Sequence, residues 1–264
     1  MIKLVAVDMD GTLLNDKKEY PKDFPAWVKS HKNVKTVLSS GRQYYALRKQ
    51  FEEIADDVIY IAENGGVVFM DNKVVYEDSM SPLDVRECLD IALNLPGVIP
   101  LVCGVEATYY CEGTPEILGE AMKYYERIVS VKDLRLAINM DRILKIAVFV
   151  KDFKAQEVHN SFPKLPEGTA SVLSGDSWID LANEGVSKGP ALKFLMEKLD
   201  IKRSEAAAFG DFPNDVTMLQ AVGESYAMCN GHPDVIDIAK HVTIKDNNEE
   251  GVMYTLRSLE GEMQ

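Results

Sequence analysis

The sequence predicts an α/β protein: a parallel sheet with helices on both faces, built from the two ends of the chain, with an α+β domain inserted between them. Three observations predict it. Strand-like and helix-like stretches alternate up to about residue 80 and again from residue 187 onward, the pattern of parallel strands joined by helical crossovers. The first strand, Ile2 with Leu4, Val5, Ala6 and Val7, is a nearly continuous apolar run, as expected of a strand buried on both faces. Residues 81–186 break the alternation and read as an α+β domain, opened by Ser81-Pro82.

The elements follow in order. A helix is predicted over Pro21–His31, since proline suits a first helical turn. Val34–Leu38 reads as a second strand, ending at Ser39-Ser40-Gly41-Arg42, and a helix runs from Gln43 to near Glu53. Val58–Ala62 is a third strand. Val67–Met70 and Val74–Tyr76 flank Asp71-Asn72, a pair suited to a tight hairpin turn. In the inserted region, a helix over Pro82–Leu95 is stopped by Pro96-Gly97. Strands follow at Ile99–Cys103 and Thr108–Cys111, a helix at Glu116–Glu126, and a strand at Ile143–Val150. A helix near Phe153–Ser161 precedes an antiparallel pair, Ser171–Leu173 with Trp178–Leu181. The last part reads as helix Lys188–Leu199, strand Ala206–Phe209, a helix ending at Ala221, strand Ser225–Met228, helix Pro233–Lys240, strand Val242–Ile244 and helix Gly251–Leu259. The run Ala206-Ala207-Ala208 is poor in β-branched residues for a strand.

Composition narrows the function classes. Of 264 residues, 46% are hydrophobic and 27% charged, the profile of a soluble globular protein. No stretch nears the roughly 20 apolar residues of a membrane span, and the N-terminus lacks the basic-then-apolar pattern of a signal peptide. Cys88, Cys103, Cys111 and Cys229 are scattered, which favours buried free thiols in a cytoplasmic protein. A net charge of −13 argues against nucleic acid or an anionic membrane as partner. It also means that an anionic substrate requires local cations or a metal ion at the site.

The chemistry-bearing residues sit at predicted strand-to-helix turns. Asp8-Met9-Asp10-Gly11-Thr12 closes the first strand. Its two carboxylates are spaced so as to point the same way on extended chain. Gly210-Asp211-Phe212-Pro213-Asn214-Asp215 closes a later strand and adds two acids. A parallel sheet brings these turns to one edge, where ligands bind in such folds. Four carboxylates in one crevice repel strongly; an all-oxygen set of this kind favours Mg2+. Ser40 and Gly41 offer a hydroxyl and backbone N–H groups to a phosphate oxygen, although a serine there also suits an ordinary helix cap. Lys188 opens a helix, where a cation gains from a nearby anion such as a phosphate or Asp8. Arg42 and Asn64 are candidate substrate contacts near the same edge. Asp215 also suits a plain role at a helix N-terminus.

These four segments, in this order, resemble the haloacid dehalogenase superfamily of phosphohydrolases. Asp8-x-Asp10-Gly11-Thr12 is similar to its first motif, Ser40 to its second (with Ser for the commoner Thr), Lys188 to its third and Gly210-Asp211-x-x-Asn214-Asp215 to its fourth. The spacing resembles the Cof-type branch, subfamily IIB, in which an α/β cap of C2 type lies between the second and third motifs. The resemblance implies a Rossmann-like core, residues 1–80 and 187–264, and a substrate-specificity cap, residues 81–186. It implies a Mg2+-dependent phosphatase acting on small phosphate monoesters, sugar phosphates foremost. Asp8 would be the nucleophile and Asp10 the acid/base. Mg2+ would be held by Asp8, Asp10 (through its backbone carbonyl), Asp211 and Asp215, the last as ligand or outer partner. Ser40, Gly41, Lys188 and Asn214 would clamp phosphate or orient the clamp. Cap residues Tyr109, Tyr110, Trp178 and Asp180 are specificity candidates, with core packing the ordinary role for such aromatics. The implied partner is a small phosphorylated metabolite, and the chain would act as a monomer or small homo-oligomer. A phosphomutase on the same scaffold, or a non-catalytic binding module, would use the same fold.

Overall fold

The computed structural model describes all residues except 113, 115, 116, 118, 120–122, 176, 263 and 264. Contacts divide the chain into two compact units: Met1–Tyr76 with Ser187–Gln264, and Glu77–Val186. Residues 78–80 are tied into the second unit. Asn183 Nδ2 donates to Asp78 Oδ1 (2.6 Å), Met80 N donates to the Ile143 carbonyl (2.8 Å), and the Met80 side chain is buried in that unit's apolar cluster.

The first unit begins with β1 (Leu4–Asp8), β2 (Lys35–Ser39), β3 (Ile59–Ala62), β4 (Val67–Met70) and β5 (Lys73–Glu77). The second holds β6 (Val98–Gly104), β7 (Thr108–Cys111), β8 (Ile128–Val131), β9 (Ile143–Val150), β10 (Thr169–Gly175) and β11 (Trp178–Asn183). The chain then returns with β12 (Ala206–Gly210), β13 (Glu224–Ala227) and β14 (His241–Val242).

Among the described residues, the first unit's sheet has the order β14-β13-β12-β1-β2-β3-β4-β5. Pairing is parallel from β14 to β3 and antiparallel between β3 and β4. The sheet is therefore mixed at one end, where the hairpin turns on Asp71 (φ 51°) and Asn72 (φ 61°). Two consecutive positive φ values give the twist that joins right-handed strands tightly. β1 is buried along its whole length. So is β12, because it lies between β1 and β13. Its small side chains suit that place: Ala206 and Ala208 pack against Ala191, Leu192 and Met218 of the covering helices. Burial on both faces overrode the weak strand propensity of an alanine run.

The helix expected from Pro21 starts at Phe24 instead and ends at Ser30. The Pro21 carbonyl accepts from Phe24 N (2.9 Å) in a preceding turn, and Pro25 occupies the first helical turn. The helices most relevant to the site are Tyr44–Gln50, Lys188–Lys198 and Val216–Ala221.

The second unit's sheet has the order β10-β11-β9-β6-β7-β8. It is antiparallel except for the β7–β8 pair. One face packs on the helix Pro82–Asn94 through Val85, Cys88, Leu89, Ile146 and Val148. Of the helix expected at Glu116–Glu126, residues 116, 118 and 120–122 lie outside the described residues; 117 and 119 are helical, and 123, 124 and 126 lie in turn and bend. Of the thiols, Cys88 and Cys103 are buried as expected, but Cys111 is half-buried and Cys229 exposed. Among the described residues, no helix is long and apolar enough to cross a membrane.

Candidate active site

Three loops meet at the carboxyl ends of adjacent strands. β1 ends at Asp8, paired with Ser39 at the end of β2, while Val7 pairs with Phe209 near the end of β12. Asp8, Ser40 and Asp211 therefore emerge side by side. The chain leaves β1 toward β2 and leaves β12 toward β13, so the connections part here and open a crevice, as at the switch point of a doubly wound sheet. The helix beginning at Lys188 is brought in by Gly65. A Cβ at Gly65 would stand 2.2 Å from the Ser187 carbonyl oxygen, and its φ of 98° is one that favours glycine.

Asp8, Asp211 and Asp215 form an acid cluster, with one carboxylate oxygen from each lying within 4.8 Å of the others. Lys188 is completely buried among them, donating from Nζ to Asp8 Oδ1 (2.5 Å) and Asp215 Oδ1 (2.6 Å). Asp215 is equally buried. Its Oδ2 accepts from the backbone N–H groups of Asp211 (3.0 Å) and Phe212 (3.1 Å), so it braces the loop that carries Asp211. Thr12 Oγ1 donates to Asp211 Oδ1 (2.8 Å). Gly11 lets this approach happen: its φ is 84°, and a Cβ there would fall 2.4 Å from Asp211 Oδ2.

The charges do not balance. Burial and the Asp215 carboxylate push the Asp8 pKa well above its ordinary value, against the pull of Lys188. Burial raises Asp211 to about 6, Thr12 opposing and Asp215 adding to the rise. For Lys188 burial works against the charge, but Asp215 and Asp8 outweigh it and the pKa rises. Three acids around one ammonium leave an excess of two negative charges when all are ionised. The donor set is oxygen only, which suits a hard divalent cation. Such a cation lowers the carboxylate pKa values and removes the repulsion.

Asp10 stands apart from this cluster. Its carboxylate accepts from Arg42 Nε (2.9 Å) and NH2 (2.6 Å), and from Lys18 Nζ (2.8 Å). Burial opposes its charge, but Arg42 and Lys18 prevail and hold its pKa below the ordinary value. The Asp10 carboxylate is thus outside the group of acids that could share a metal ion, which is Asp8, Asp211 and Asp215 among the described residues.

The other expected residues are arranged as follows. Ser40 is buried, and its Oγ accepts from Arg42 N (3.2 Å) in a turn. The helix cap is Gln43 rather than Ser40, because the helix starts later, at Tyr44. Gly41 lies against the Asn64 side chain, 3.0 Å from where its Cβ would be. Asn64 (φ 55°) accepts at Oδ1 from Asn214 Nδ2 (3.1 Å), which ties the loop after β3 to the loop after β12. Asn214 is exposed.

In the second unit, Tyr109 is buried and donates to Asp141 Oδ2 (3.3 Å). Trp178 packs on Phe149 with ring centroids 5.1 Å apart. Tyr110 is half-buried beside that group. Asp180 pairs with Lys145 at 2.9 Å, both buried. Sequence reasoning missed Lys145, although a lysine inside Ile143-Leu-Lys-Ile-Ala-Val-Phe-Val150 is a visible signal. It also missed Lys18 and Gln50, which have no motif to mark them.

The sequence profile of the haloacid dehalogenase-like hydrolases matches residues 5–256. The chain is 34% identical to the 5-amino-6-(5-phospho-D-ribitylamino)uracil phosphatase YbjI of Escherichia coli, over 96% of this chain and 94% of that one. It is 27% identical to the phosphatase YwpJ of Bacillus subtilis, over 98% and 100%. The crystal structure of TM0651 from Thermotoga maritima shares the fold, with a TM-score of 0.86 at 23% identity over 98% of this chain and 97% of that one. The chain belongs to the haloacid dehalogenase-like hydrolase family and is a phosphatase of its Cof type.

Proposed function

We propose that this protein is a Mg2+-dependent phosphatase that hydrolyses small phosphate monoesters, sugar or polyol phosphates foremost, through an aspartyl-phosphate on Asp8. The observation that carries this reading is the acid cluster closed around a buried lysine at the carboxyl ends of β1 and β12. Asp8 is the nucleophile, held at Oδ1 by Lys188. It forms an O–P bond as the ester oxygen leaves. Asp10 is assigned the acid/base role. It gives that oxygen a proton, which requires its carboxylate to be freed from Arg42 and Lys18, the pair that holds it ionised here. It later takes a proton from the water that cleaves the aspartyl-phosphate. Lys188, with Ser40 and the Gly41 backbone, neutralises and orients the phosphoryl oxygens.

Asp8, Asp211 and the Asp10 backbone carbonyl would hold Mg2+, which would supply charge neutralisation to an acidic protein whose wider field repels phosphate. Both oxygens of Asp215 already accept hydrogen bonds. That favours a role in holding Asp211 and Lys188 rather than in direct ligation. Asn214 and Asn64, bonded to each other, are assigned to the rim of the phosphate site, and Arg42 to Asp10. The inserted unit is assigned the reading of the leaving group. The E. coli relative is named for a substrate with phosphate on a ribityl chain, which favours polyol-like esters here.

The test is a panel of sugar phosphates, polyol phosphates and nucleotides assayed for inorganic phosphate with and without chelator. Release should be highest on a sugar or polyol phosphate, fall at least about a hundredfold with EDTA, and return with Mg2+. Turnover indifferent to chelation would exclude the metal, and preference for nucleotides would exclude the substrate class.

A further inference from the structure

The chain leaving β1 is held from outside by two asparagines, one in the loop after β13 and one after β14. Within the turn itself, Leu13 N donates to the Asp8 carbonyl (3.2 Å), and Thr12 N and Leu14 N donate to that of Met9 (3.3 and 2.8 Å). Farther along, side chains take over. Asn230 donates from Nδ2 to the Gly11 carbonyl (2.8 Å). Asn247 donates from Nδ2 to the Leu14 carbonyl (3.0 Å) and to Asp16 Oδ1 (3.2 Å).

The two asparagines are joined. Asn247 N donates to Asn230 Oδ1 (3.3 Å), and Asn247 Oδ1 accepts from Asn248 Nδ2 (3.4 Å). Asn247 is buried, so its amide is committed to these partners. Asn230 is exposed. The Asn230 loop also touches the turn after β12. His232 N donates to the Asp211 carbonyl (2.7 Å), and a Cβ at Gly231 would stand 3.1 Å from that same oxygen. One loop therefore fixes backbone at both Gly11 and Asp211.

Gly11 is where the turn needs such a hold. It has no Cβ and a φ of 84°, so its backbone is free to take other conformations. The peptide between Asp10 and Gly11 carries the Asp10 carbonyl and rotates as one plane. The Met9 carbonyl is bonded on one side of that plane and the Gly11 carbonyl on the other, so its direction follows from theirs. We propose that Asn230, set in place by Asn247, is a positioning residue that presents the Asp10 carbonyl, alongside Asp211, to a divalent cation. The inference rests on the Mg2+ reading given above. It concerns backbone alone, and the carboxylate of Asp10 takes no part in it.

The experiment compares Asn230→Ala and Asn247→Ala with the parent, first without metal and then in a Mg2+ titration followed by calorimetry. Because Asn230 is exposed, Asn230→Ala should keep the metal-free melting temperature close to the parent's. Its backbone amides over residues 9–14 should exchange hydrogen faster than the parent's, while those of β1 and β12 keep the parent's rates. Its dissociation constant for Mg2+ should rise about tenfold, the loss usual when a group that orients a metal ligand is removed. Asn247→Ala should move exchange and affinity in the same directions. A lowered melting temperature in that buried variant leaves Asn230→Ala as the deciding one. Parent-like Mg2+ affinity in Asn230→Ala, or parent-like exchange over residues 9–14, would overturn the positioning role while the parent still binds Mg2+. A parent that takes up no Mg2+ would overturn the metal reading, and this inference with it.

Discussion

Each of the two units buries a lysine against carboxylate, and the two clusters differ in their arithmetic. In the inserted unit Lys145 on β9 meets Asp180 on β11, with side chains 7% and 11% exposed. Asp180 pairs in register with Ala147, two residues from Lys145, so both side chains share one face of the sheet. One cation there meets one anion. In the first unit Lys188 meets Asp8 and Asp215, with Asp211 adjacent. With all three acids ionised, that cluster has two more negative than positive charges. A balanced buried pair is a structural feature whose loss costs stability. An unbalanced cluster is under electrostatic load in the absence of a further cation, and perturbed groups of that kind mark functional sites. The difference teaches that burial of a charge is not by itself the signal; the uncompensated remainder is.

Substitutions can break this comparison. The largest effect is expected in the first unit. Asp8→Asn should lower phosphate release by at least about three orders of magnitude while leaving the melting temperature of the metal-free protein unchanged or higher, because an acid held at a raised pKa loses its charge. A lowered melting temperature would show that the cluster is not overloaded with negative charge.

The opposite behaviour is expected in the inserted unit. Asp180→Asn removes the carboxylate that balances Lys145 and should lower unfolding stability by on the order of 3 kcal/mol, read from the urea midpoint. An unchanged midpoint would place this pair among ion pairs that contribute nothing measurable.

The smallest effect sharpens the comparison through pH. Asp211 has a pKa of about 6 in the fold, raised from 3.8. Its neutral form is therefore favoured by folding. The stability it contributes is full below about pH 4 and is lost as pH rises to about 6, by up to about 1.4 kcal/mol per pH unit. Without metal, the melting temperature of the parent should fall more steeply over that window than that of Asp211→Asn. At pH 7, added Mg2+ should raise the parent's melting temperature and raise that of Asp211→Asn less. Identical slopes in the two proteins would remove Asp211 from the loaded cluster.

Much of the first unit was legible in the chain because its signals are local. Ile2 and Leu4–Val7 announce a buried strand, and the acids at 8, 10, 211 and 215 follow strand ends. The ordered set of motifs then pointed to one family. Other features were harder to read. The alanine run of β12 argued weakly for a strand, and only its place between β1 and β13 settled it. The start of the first helix moved from Pro21 to Phe24, because a turn and a helix both accept a proline near their beginning. Lys145 and Asp180 lie far apart in sequence, and their pairing depends on the β9–β11 register.

The sequence by itself determined the alternation of elements, the acid-rich turns and the net negative charge of the chain, since these depend on residue types and short spacings. Only the tertiary structure decided how those acids are shared. It placed Asp8, Asp211 and Asp215 around Lys188 and gave Asp10 to Arg42 and Lys18. The physical reason is that a carboxylate's partner is fixed by direction and distance within a few ångströms, and the folding of loops far apart in the chain sets both.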